Sequence, residues 1–150
     1  MAELKRILLV EDSELDIELT LSALEASNLA NEVVVARDGA EALDYLHRRG
    51  AFEGRPGGDP VVMLLDLKMP RMDGLSVLRH VKDDPVLKPL PVVMLTSSRE
   101  ERDLVESYRL GTNAYVVKPV ESVEFLDAIR KLGVFWALVN EPPLLKPREG

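Results

Sequence analysis

The chain contains no cysteine, which excludes a disulfide framework and any thiolate zinc site and makes a reducing, cytoplasmic setting the expectation. Histidine is nearly absent as well. The two present, His47 and His80, lie away from the strand ends discussed below, and neither a phosphohistidine nor a metal-ligand role is expected of them. Positive charge is in deficit: 19 Lys and Arg against 26 Asp and Glu give a formal net charge of -7. With no basic tract and no basic, aromatic-bearing face, binding to nucleic acid through phosphate contacts is excluded; acidity of this kind is compatible with a divalent cation. Long apolar runs are missing too. The first, residues 7–10, stops at Glu11-Asp12, too short for a secretory signal or a membrane span.

What is present suits one compact domain, since 150 residues bury a real core but leave no room for a second. Short runs of Val, Ile and Leu occur at 7–10, 33–36, 61–65, 92–95 and 115–117. Between them stand helical spacings: Ile17, Leu21 and Leu24; Leu43 and Leu46; Leu78 and Val81; Leu104 and Tyr108. Strands alternating with helices predict a doubly wound (βα)5 domain with a parallel five-stranded sheet in the order 2-1-3-4-5. The first helix has a start signal in Asp12 or Ser13, with Glu14 and Asp16 placed where the helix dipole favours negative charge. The second runs from about Gly39 to Arg49. Residues 50–60, with four glycines and two prolines, read as an irregular, tolerated surface loop. The third helix starts near Gly74 and stops near Asp84-Pro85. Ser97-x-x-Glu100 and Ser98-x-x-Glu101 are both capping-box patterns for a fourth. The last helix carries the stripe Phe125, Ile129, Leu132, Trp136 and Val139, with Val134, Phe135 and Leu138 making its end apolar nearly all round. Residues 1–140 are thus expected to be one domain with an extended C-terminal helix, and 141–150, with three prolines, a tail.

Four strands end in polar residues of particular kinds: Glu11-Asp12, Asp66, Thr96-Ser97 and Lys118-Pro119. In the order 2-1-3-4-5 these ends converge on the carboxyl edge of the sheet, where open α/β sheets bind ligands. Taken singly, each is explained as a cap or a surface ion pair. Together they are not. Three carboxylates in one crevice repel, at about 4 kcal/mol for a pair ~4 Å apart in an effective dielectric of ~20. Lys118 supplies one compensating charge, and a hard cation such as Mg2+ the rest. A carboxylate nucleophile, a metal, a lysine and the Thr96 hydroxyl are the parts for phosphoryl transfer onto Asp66.

The motifs Val10-Glu11-Asp12, Leu65-Asp66-Leu67-Lys68-Met69-Pro70-x-Met72-Asp73-Gly74, Met94-Leu95-Thr96-Ser97 and Gly111-Thr112-Asn113-Ala114-Tyr115-Val116-Val117-Lys118-Pro119 resemble, over roughly residues 4 to 132, the receiver domains of two-component response regulators, which have the CheY-like fold. The resemblance implies that Asp66 accepts a phosphoryl group from a histidine kinase in a phosphorelay. It implies that Glu11, Asp12, Asp66 and the backbone carbonyl of Lys68 surround Mg2+, that Lys118-Pro119 is cis, and that Thr96 and Tyr115 form a switch acting on the surface of the fourth helix, fifth strand and fifth helix. The glycine-rich insertion before the third strand and the ending Phe135-Trp136-x-x-Val139-Asn140-Glu141-Pro142-Pro143 resemble the single-domain regulators that partner phytochrome-type histidine kinases. Such a protein catalyses only its own phosphorylation and dephosphorylation. With no effector after the last helix, its output is expected to be what it binds, beginning with a homodimer through the face that includes Phe135, Trp136 and Leu138. Three alternatives stay open: an aspartate-nucleophile phosphohydrolase, which wants an acid where Lys68 stands; a flavodoxin-like FMN binder, which Glu11-Asp12 would repel; and a receiver used as an unphosphorylated scaffold.

Overall fold

The computed structural model describes residues 6–27, 31–97 and 114–132. Its strands β1 (Ile7–Val10), β2 (Val33–Ala36), β3 (Val62–Asp66), β4 (Val92–Thr96) and β5 (Ala114–Val117) form one sheet, β2-β1-β3-β4-β5, with every pairing parallel. The described helices are α1 (Glu14–Ala26), α2 (Gly39–His47), α3 (Gly74–Asp83) and α4 (Ser122–Leu132). The last of these is the fifth helix expected from the sequence. The helix expected after β4, with Leu104 and Tyr108, lies outside the described residues, as do Val134, Phe135, Trp136, Leu138, Val139 and the 141–150 tail.

Every residue of β1, β3 and β4 is buried, which is why their sequences run apolar without the alternation of a half-exposed strand. The alternation is in where they point. Leu8, Val10, Met63, Leu65 and Met94 pack with Ala42, Leu43 and Leu46 of α2 and Val77, Leu78 and Val81 of α3. Ile7, Leu9, Val62, Leu64, Val93 and Leu95 pack with Ile17 and Leu24 of α1 and Phe125 and Ile129 of α4. Each such side chain contributes about 1.5–3 kcal/mol when removed from water, so the two layers hold the sheet from both sides.

Local chemistry sets the helix starts. Ser13, not Asp12, caps α1, its hydroxyl accepting from the Asp16 amide at 3.2 Å. Asp38 caps α2 through the Glu41 amide at 2.8 Å, and Asp73 caps α3 through the Ser76 amide at 2.9 Å. At the far end, α2 stops at His47 because Arg48 turns left-handed, φ 57, two residues before the sequence suggested. The 50–60 segment is less irregular than expected. It opens with a 3-10 turn, Gly50–Phe52, whose Phe52 meets the Tyr45 ring edge-on at 5.1 Å. The Arg55 guanidinium lies 3.8 Å over the same ring, so the loop is tied to α2. Met69 and Met72 pack against the α2–α3 core, as loop packing predicts. Among the described residues no helix is long and apolar enough to cross a membrane.

Candidate functional site

The register of the sheet aligns the polar strand ends. Val10 lies opposite Leu65, Asp66 opposite Leu95 and Thr96 opposite Val117, so Glu11, Asp66, Thr96 and Lys118 follow one another along a single edge. Asp66 is itself the last residue of β3 and 4% exposed. One residue beyond β1, Glu11 is fully buried and held by its amide to the Ala36 carbonyl at 2.9 Å. Asp12 is exposed, released to the crevice because Ser13 has taken the capping position. The ligand atoms of Glu11, Asp12 and Asp66 all lie within 4.8 Å of one another.

Lys118 leaves β5 across the cis Lys118-Pro119 peptide, as the sequence resemblance implied. Its amide donates to the Thr96 carbonyl at 2.7 Å. The ammonium then reaches three carboxylates from three elements: Asp66 Oδ1 at 2.9 Å, Asp16 Oδ2 at 3.0 Å and Glu11 Oε1 at 3.2 Å. Burial alone would lower its pKa, but the hydrogen bonds to Asp66 and Asp16 outweigh that and hold it above its ordinary value. The carboxyls respond the other way. Burial pushes Asp66 up, opposed by Lys118 and reinforced by the charge of Asp12. Burial likewise raises Glu11, against the Ser13 amide and with the charge of Asp66.

Asp16 is a site residue that sequence reasoning missed, having been assigned only to the helix dipole. It stands three residues after the Ser13 cap, where a capping-box acid turns back to bind the cap's own amide. That amide is already taken by Glu11 Oε2 at 3.1 Å, and Asp16 turns to Lys118 instead. The signal was the pairing of a capping-box acid with a glutamate two residues before the cap.

Thr96 is fully buried, and its Oγ1 has no hydrogen-bond partner among the described residues. Tyr115 is half-buried against the α2–α3 core, opposite Met94 and two residues before the partner of Thr96. By strand alternation Thr96 and Tyr115 point to the same face. Lys68 is exposed on the loop two residues beyond Asp66. Gly74 opens α3 against that loop, its amide donating to the Leu67 carbonyl at 2.8 Å. The structure therefore gathers Glu11, Asp12, Asp66, Thr96 and Lys118, adds Asp16, and sets Tyr115 behind Thr96.

Chemically this is a hard-oxygen crevice with negative charge in excess. Glu11, Asp16 and Asp66 share the Lys118 ammonium, and Asp12 adds a fourth carboxylate beside Glu11 and Asp66. The donor set fits a divalent cation that prefers oxygen, and the unpartnered Thr96 hydroxyl fits an acceptor arriving from outside.

Comparison with known proteins shows the family. The chain is 39% identical over 132 residues to response regulator Rcp1 of Synechocystis sp. (strain ATCC 27184 / PCC 6803 / Kazusa), covering 88% of each. Among solved structures, the bacteriophytochrome response regulator AtBRR superposes with a TM-score of 0.89 at 66% identity, over 93% of this chain and 100% of that one. The Mn(2+)-bound form of response regulator Rcp1 superposes with a TM-score of 0.70 at 37% identity, over 95% and 99%. The family model of the response regulator receiver domain matches residues 7–130, and the chain belongs to that family.

Proposed function

We propose that Asp66 is the phosphoacceptor of this receiver. Phosphorylation of an aspartate is general in the family. The observation that carries the assignment is the position of Asp66: last in β3, 2.9 Å from Lys118 and clustered with Glu11 and Asp12. A carboxylate oxygen of Asp66 attacks the phosphorus of a phosphohistidine in a histidine kinase. The P–N bond breaks, its electron pair stays on the imidazole, and an acyl phosphate forms. Lys118 stays beside the new group and offsets its charge, and the Thr96 hydroxyl donates to a phosphoryl oxygen.

Receiver domains bind a divalent metal, and a relative has been solved with Mn(2+). In this chain Glu11, Asp12, Asp66 and the Lys68 carbonyl would hold Mg2+. Bound there, the cation offsets the charge that the phosphoryl oxygens bring. The movement of Thr96 towards the phosphoryl group opens space on the face it shares with Tyr115, and an inward turn of that ring changes the surface around β5 and α4. The kinase partner in this reading is of the phytochrome type, supported by the similarity to AtBRR. A second copy of the chain is the other partner, through a face that includes α4 and the apolar residues Phe135, Trp136 and Leu138 that follow it in the sequence.

Intact mass after incubation with acetyl phosphate and Mg2+ tests the core of this. The wild type gains one phosphoryl group, Asp66→Asn gains none, and chelation abolishes the gain. Undiminished labelling of Asp66→Asn overturns the assignment.

A further inference from the structure

The chain's two histidines, 33 residues apart, meet in the fold. His47 is the last residue of α2, His80 lies in α3, and their Nε2 atoms are 2.9 Å apart. The rings stand at 81° with centroids 5.1 Å apart. Asp84, the C-cap of α3, completes the group: its Oδ2 lies 4.0 Å from His47 Nε2, and one ligand atom from each of the three residues falls within a 4.8 Å cluster. Because the helices of a parallel sheet run back against its strands, the C-terminal ends of α2 and α3 lie at the edge opposite Asp66. The cluster is therefore separate from the phosphoacceptor crevice.

Three features make it a coordination site in form. First, the two Nε2 atoms already stand 2.9 Å apart. A tetrahedral ion with Zn–N bonds of ~2.05 Å needs the two nitrogens roughly 3.3 Å apart, so a few tenths of an ångström of rotamer adjustment suffices. Second, the carboxylate is anchored from behind. Asp84 Oδ1 accepts from the Val86 amide at 2.8 Å and the Leu87 amide at 3.3 Å, which leaves Oδ2 turned to the imidazoles. Such support behind a ligand is what orients a metal-binding carboxylate. Third, His47 and Asp84 are only partly exposed, 27% and 24%, and His80 is exposed, so an ion can reach all three from solvent.

We propose that His47, His80 and Asp84 bind one divalent transition-metal ion of the zinc type, clamping α2 to α3. Two imidazoles and one carboxylate suit zinc and its neighbours and not Mg2+, which takes oxygen donors. The proposal owes nothing to the phosphoryl-transfer reading.

Zn2+ titrated calorimetrically into the full chain, with Mg2+ saturating the carboxylate crevice, tests it. The wild type binds one zinc per chain. His47→Gln and His80→Gln each weaken that binding about 100-fold, and Asp84→Asn, which keeps the amide bonds to Oδ1, about 10-fold. Asp12→Ala leaves it unchanged. Circular dichroism and retained Mg2+ binding verify that the histidine variants are folded, and Co2+ gives the wild type alone the visible absorption of an imidazole-bound ion. Absence of zinc binding in the wild type overturns the proposal, as does undiminished binding in both histidine variants. Half a zinc per chain with a doubled sedimenting mass overturns it too, since the ion would then lie between copies.

Discussion

A buried hydroxyl without a partner costs about 1–3 kcal/mol, and the Thr96 hydroxyl has none among the described residues. Thr96→Val keeps the shape and removes the unmet group. Its unfolding free energy in urea without phosphodonor should therefore rise by up to about 1 kcal/mol, with a higher midpoint at an unchanged m-value, while any assembly that responds to phosphorylation should lose that response. A less stable Thr96→Val would mean that the hydroxyl is already bonded. The same site shows what single residues reveal in a sequence. Glu11, Asp12, Asp66, Thr96 and Lys118 were legible because each ends a strand, and in a parallel sheet of known order strand ends fall in line. Asp16 was not, because its partner was decided by which acceptor the Ser13 amide took. Nor were His47 and His80, whose meeting depends on how α2 and α3 lie side by side, a relation that carries no local spacing signal.

Helices here are set against the site by close backbone contact. A Cβ on Gly74 would collide with the Asp66 carbonyl and stand 2.9 Å from Leu67 Cα, both backbone atoms of the strand end that presents the Asp66 carboxylate. Gly74→Ala must push α3 away, and an overpacked contact of this sort costs about 1–3 kcal/mol; denaturant unfolding should show that loss together with slower phosphorylation. The cap of α2 makes a different demand. Burial alone would raise the Asp38 carboxyl, but the Glu41 amide and the Arg71 guanidinium, 2.5 Å away, outweigh it and hold the pKa below the ordinary 3.8. A folded pKa below the unfolded one stabilises above the unfolded value and is lost as pH falls through the folded one. Asp38→Ala should thus cost about 1–2 kcal/mol near pH 7, and its difference from the wild type in urea midpoint should shrink near pH 3. A difference independent of pH would remove the charge from the account. Element boundaries were readable where a cap or proline marks them, as at Asp73-Gly74 and Asp84-Pro85. They were misjudged at α2, where an arginine, not a glycine, adopts the left-handed stop, and at Gly50–Phe52, where aromatic contacts order a glycine-rich stretch.

At the scale of the whole molecule, the strand order was readable because alternating apolar runs and helical spacings admit few right-handed windings. Assembly is a separate question. The sequence sets Phe135, Trp136 and Leu138 close together after α4; an apolar group of that size is unusual on a free monomer surface, and a two-fold pair is the commonest closed assembly. Sedimentation at micromolar concentration should show a wild-type dimer, with Phe135→Asp and Trp136→Asp both monomeric. A wild type that stays monomeric with and without phosphodonor removes the dimer. One feature of the sheet acts while the protein is being made. β1 is an interior strand, flanked by β2 on one side and β3 on the other, yet it is the first strand synthesised. At about 5–20 residues per second, β3 follows β1 from the ribosome by roughly 3–10 s. Through that interval an apolar strand has at least one edge unpaired and both faces without their full cover, the arrangement most open to wrong partners. The second edge of β1 is thus paired only as residues 62–66 emerge, and the residue that completes that strand is Asp66.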